Sequence, residues 1–160
     1  MQKELRRRLD TISILGTGIC LFGAWGAAKS IMYVLADRDE FKDVMSGNKG
    51  IAYTIFIFLI MVIILTVVLV PHFYIGLSAR GEGRREKRHT VYLFVTGIMA
   101  ALYFTSIIFS ITELPSAEEP EDVITSIILD ITVAITMIQI IINSIKIKRL
   151  RKQLNEQEGQ

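Results

Sequence analysis

The chain has 160 residues, 51% of them hydrophobic and 21% charged, with a net charge of +2 and a mean hydropathy of +0.45. That balance excludes an ordinary soluble domain and points to a single integral membrane domain over residues 1–160. One cysteine, Cys20, and three prolines exclude a disulfide scaffold, a CxxC redox pair, a Cys-built metal cluster and a collagen-like repeat.

The first predicted element, 11–36, follows an arm carrying Lys3, Arg6, Arg7 and Arg8. Its apolar run is longer than the ~7–15 residues of a signal-peptide core and lacks a convincing small-residue cleavage site, so it reads as a retained span. Gly16, Cys20, Ala24 and Ala28 recur every four residues along it, with Gly23 and Ala27 on the neighbouring row. Small residues at that spacing let a second helix backbone come close. Lys29 lies inside the span. An acidic connection with Asp37, Asp39, Glu40 and Asp43 follows.

The second span covers 51–70. Pro71 removes a helix donor and is expected to kink or end it there, leaving His72, Phe73 and Tyr74 as an interfacial belt. The next connection holds Arg80, Arg84, Arg85, Lys87 and Arg88. The third span, 91–114, carries a shorter small-residue pair, Gly97 and Ala101. Pro115 and Pro120 make the third connection a turn, and its charges are acidic throughout: Glu113, Glu118, Glu119, Glu121 and Asp122. The fourth span, 123–147, leads into a basic tail, 148–160. On a helix, Thr125, Thr132, Thr136, Gln139 and Asn143 fall within about 60° of one another, a polar stripe running the length of the span. The stripe reads either as a seam that hydrogen-bonds to other helices or as the wall of a narrow aqueous path.

Fourteen Lys and Arg lie in the N-terminal arm, the second connection and the tail together with Lys146 at the end of the fourth span, against three in the first connection and none in the third. This asymmetry predicts an up-down-up-down, all-α bundle of four transmembrane helices in the plasma membrane, with both termini cytoplasmic. Its basic cytoplasmic segments are expected to meet anionic lipid headgroups of the bilayer. Lys29 and Asp130 each lie seven residues from the expected outer boundary, a depth of about 10 Å. Opposite charges at one depth are expected to pair, because a lone charge deep in a span costs at least ~2.5–3.5 kcal/mol. The alternative is that Lys29 snorkels outward. Trp25, Ser30, Tyr33, Tyr53, Thr54, Thr105, Ser106, Ser110 and Ser126 lie near that depth and suggest a polar pocket around the pair.

No catalytic constellation, phosphate loop or metal-ligand spacing is present. The sequence therefore predicts a non-enzymatic protein without cofactor, metal or nucleic-acid partner. It would act by association, as a homo-oligomer or as an accessory subunit of a membrane complex. The alternative is a small channel or transporter built on the Lys29/Asp130 pocket.

Overall fold

The computed structural model describes residues 2–36, 51–84, 91–116 and 120–158. They form α1 (Gln2–Ala36), α2 (Ile51–Ile64), α3 (Val70–Gly83), α4 (Val91–Glu113) and α5 (Pro120–Glu158). A π-helical turn, Leu65–Leu69, joins α2 to α3, and a 3-10 turn, Leu114–Ser116, follows α4. No strand occurs among the described residues, and four helical stretches are long and apolar enough to cross a bilayer.

Both terminal spans extend as regular helix well beyond their apolar runs. At one end Leu9 and Ile12 are buried, and at the other Ile147 is. The larger difference from the sequence reading is at Pro71, where helix continues to Gly83 instead of ending. The backbone is helical without interruption through the π turn into α3, with Ile64, Leu69 and Val70 all in the αR region, so the missing N–H of Pro71 removes one bond from a continuous helix. The preceding π turn takes up the break in hydrogen bonding, a common use of such turns. The second span therefore includes a final segment, from His72 to Gly83, that does most of its packing.

That segment lies against α1. The residues in contact are Leu9, Ser13, Gly16, Cys20 and Gly23 on α1, and His72, Gly76, Ala79 and Gly83 on α3. Spacings of three and four alternate on both helices, the pattern of interlocking knobs and holes. Glycine makes the approach possible. A Cβ on Gly16 would lie 2.5 Å from the Gly76 carbonyl oxygen, one on Gly83 would lie 2.7 Å from the Leu9 carbonyl oxygen, and one on Gly23 would collide with His72. The expected row of Gly16, Cys20, Ala24 and Ala28 holds only at its start, and Ala24 and Ala28 are exposed. A strict four-residue repeat drifts about 40° per step on a helix of 3.6 residues per turn, so the contact passes to Gly23, and Ala27 on the same row is buried.

The rest of the core comes from Tyr92, Thr96, Ala100 and Ile107 of α4 and from Val133, Met137, Ile140, Ser144 and Ile147 of α5. α1 packs against both α3 and α5, and α4 packs mainly against α5, so the first and last spans close the ring. α2 touches chiefly α1 and leaves Ile55, Phe58, Leu59, Val62 and Ile63 exposed.

Candidate functional site

Polar side chains inside the bundle gather in three clusters at successive depths. The cluster farthest from the chain termini holds the two charges singled out in the sequence. Lys29 Nζ on α1 donates to Ser126 Oγ on α5 at 2.8 Å. One turn further along α5, Asp130 Oδ2 accepts from Ser106 Oγ on α4, also at 2.8 Å. The described hydrogen bonds of Lys29 and Asp130 thus run to serine hydroxyls, and a direct contact between the two charges is not among them. Three helices meet here, and Ser126 and Ser106, both expected near this depth, are the residues that connect them.

Trp25 is 61% exposed and lines a cleft of about 400 Å³ with Lys29, Met32, Asp122 and Thr125. Ser30 and Ser110 are half-buried. Thr105 is exposed and donates to the Ala101 carbonyl of its own helix. The side chains of Tyr33, Tyr53 and Thr54, and the acidic residues 37–43, 118 and 119, lie outside the described residues.

The middle cluster corrects the reading of His72 as an interfacial residue. Its ring is 1% exposed. Nδ1 lies 2.6 Å from the Val68 carbonyl oxygen, which can only accept, so Nδ1 carries the proton in this arrangement. Nε2 is then the acceptor for the Tyr103 hydroxyl of α4 at 2.7 Å. The two rings meet edge to face, with centroids 5.8 Å apart. His72 therefore ties the second span to the third and also satisfies a carbonyl in the π turn.

The third cluster, nearest the termini, centres on a carboxylate. Glu82, 2% exposed, accepts from the Tyr92 hydroxyl of α4 and from Ser144 Oγ of α5 at 2.9 and 3.0 Å. Beside it, Arg8 Nη1 donates to Asn143 Oδ1 at 3.0 Å, and Arg8 also pairs with Glu4. Between this cluster and the middle one, Ile19, Ile75, Ala79, Met137 and Ile140 are fully buried and fill the interior with side chains.

The stripe on α5 divides in two. Thr125, Thr132 and Thr136 each donate to a carbonyl one turn back on α5, as threonine in an apolar helix can. Thr125, Thr132 and Gln139 are exposed, so most of the stripe is turned away from the other helices of this chain. Only Asn143 at its end is buried and bonded across to α1.

Glu82, Tyr92, Tyr103 and Ser144 were not singled out in the sequence. The available signal was the seven-residue spacing that carries Ile75 to Glu82 and His72 to Ala79, legible once the helix is continued through Pro71. Among the described residues no group of three His, Cys, Asp or Glu side chains is placed to hold a metal ion. Comparison with models of protein families, with curated proteins and with solved structures finds no match.

Proposed function

We propose that this chain is a small multi-pass protein of the plasma membrane that acts by association, as a homo-oligomer or as an accessory subunit of a larger membrane complex, and that it catalyses no reaction. The observation carrying this reading is a row of small residues left open on α4. Gly97 has nothing within 4 Å of where its Cβ would stand, and Ala101 and Thr105, one and two turns on, are exposed. Such a row lets a further helix approach closely in lipid, where packing replaces the hydrophobic effect as the driving force. Gly16 and Gly23 of α1 are already packed against α3, and Ile19, Ile75, Met137 and Ile140 fill the layer between the polar clusters, which favours assembly over conduction.

An up-down-up-down arrangement with both termini cytoplasmic belongs to this proposal. It is supported by the charge asymmetry and by the contact register. Rising numbers on α1 meet falling numbers on α3 (Gly16 with Gly76, Gly23 with His72), and Lys29 and Arg8 reach Ser126 and Asn143 on α5.

The test is cross-linking in native membranes of the parent and of a Gly97→Ile, Ala101→Ile variant, with Gly18→Ile, another open position, as control. The double variant should lose most of the cross-linked species at unchanged thermal stability, and the control should keep it. Identical cross-linking in all three would refute the assembly face. A second reading, transport, draws on the Lys29–Ser126 and Ser106–Asp130 bonds and the cleft beside them. A solute flux in liposomes that Asp130→Asn abolishes without unfolding the protein would replace association with transport.

A further inference from the structure

We propose that the cleft between the N-terminal turns of α1 and the last third of the α5 span is a binding site for a phosphate group, presented by an anionic lipid at the membrane surface. It deepens the reading above, resting on the placement of this end of the bundle at a membrane face.

The cleft encloses about 490 Å³ and is lined by Glu4, Arg7, Arg8, Thr11, Gln139, Ile142 and Asn143. Two guanidinium groups stand at its mouth, and Lys146 follows one turn after Ile142 on α5. Three cations and one carboxylate leave the rim net positive. Arg8 is already fixed, held between Asn143 and Glu4, so one guanidinium is oriented before anything binds.

Arg7 and Gln139 supply the free valences. Among the described residues the guanidinium of Arg7 and the side-chain amide of Gln139 have neither hydrogen bond nor ion pair. Gln139 stands two turns inside Lys146, about 10 Å deeper along the helix. A primary amide at that depth, exposed and without a partner, is costly in hydrocarbon. A headgroup drawn into the cleft removes that cost. Its phosphate oxygens accept from Arg7 and Arg8 in the forked geometry that favours arginine for phosphate, and its glycerol or ester oxygens accept from Gln139. Continuing along the same two helices, exposed Ile14, Ile135 and Ile142 offer an apolar wall for an acyl chain. Basic clefts between transmembrane helices at the cytoplasmic side are recurrent headgroup sites.

The full chain in phosphatidylcholine nanodiscs, where both faces are open to solvent, is titrated with phosphatidylglycerol and with phosphatidic acid, and separately with inorganic phosphate, using native mass spectrometry to count bound molecules. The anionic lipids should bind with a stoichiometry of one, about tenfold or more above phosphatidylcholine. Arg7→Gln and Gln139→Leu should each lower retention at least about fivefold at unchanged thermal stability. Arg6→Gln removes the same charge from the adjacent face, which lines a different cleft, and should change little. Equal losses for Arg6→Gln and Arg7→Gln would mean general surface attraction and overturn the site, as would unaltered retention in Gln139→Leu. Competition by millimolar inorganic phosphate would reassign the site to free phosphate. Because the lipid count per chain is read separately from the mass of the assembly, its failure is distinct from failure of the assembly reading.

Discussion

Single residues decide how the half-buried charges Lys29 and Asp130 are held. Lys29 and Asp130 were expected to meet at one depth, and among the described contacts Lys29 donates to Ser126 and Asp130 accepts from Ser106. A serine hydroxyl accepts from an ammonium and donates to a carboxylate, so one residue type serves both signs. This makes double-mutant cycles specific. Lys29→Met with Ser126→Ala, and Asp130→Leu with Ser106→Ala, should each show a coupling of about 0.5–2 kcal/mol in thermal or denaturant unfolding in detergent. The Lys29→Met, Asp130→Leu cycle should be closer to additive. A Lys29–Asp130 coupling larger than both serine couplings would restore the direct pair as the organising contact. The depths of the two charges were legible in the sequence because an ionisable residue stands out in an apolar run. The serines that meet them were legible only as a loose set, since choosing among nine candidates needs the relative rotation of three helices.

At the scale of the element, the four spans were readable from length and hydropathy, while the packing face of the second was not. Apolar periodicity within 51–70 is nearly uniform, so it indicates no preferred face, and the informative spacing begins after Pro71. The proline drew the boundary too early because the π turn before it, Leu65–Leu69, accommodates the lost hydrogen bond and the helix continues. The α1–α3 contact then makes a clear prediction about glycine. Gly16→Leu places a side chain against the Gly76 carbonyl, whereas Gly18→Leu enters open space. The first should cost about 2 kcal/mol or more, since overpacking a tight contact forces the backbones apart. The second should be neutral or slightly stabilising, because leucine is the better helix former by about 0.8 kcal/mol or less. Chemical denaturation of both variants in the same detergent compares them directly, and equal losses would remove Gly16 from the interface.

For the whole molecule, the ring closed by α1 and α5 brings both chain termini to the end of the bundle where Glu82, Arg8 and Asn143 gather. That arrangement fixes how sidedness is to be measured. In a Cys20→Ala background, single cysteines at Ser46 and Ala117 should react with an impermeant thiol reagent added outside sealed cells, while one at Gln153 should react only after permeabilisation. Gln153 is exposed on α5, so its labelling reports access alone. Labelling of Gln153 in sealed cells would invert the molecule in the membrane. It would also move the phosphate cleft to the outer leaflet without changing its chemistry.

The side-chain-filled layer between the middle and terminal clusters has an electrical consequence. His72 and Glu82 bound it, ten residues apart on α3, a rise of about 15 Å, roughly half the thickness of a bilayer core. In it Ile19, Ile75, Met137 and Ile140 are apolar and fully buried. A charge moved from one cluster toward the other would therefore meet no hydrogen-bonding side chain from these four and would carry the cost of an unpaired charge in a low-dielectric interior.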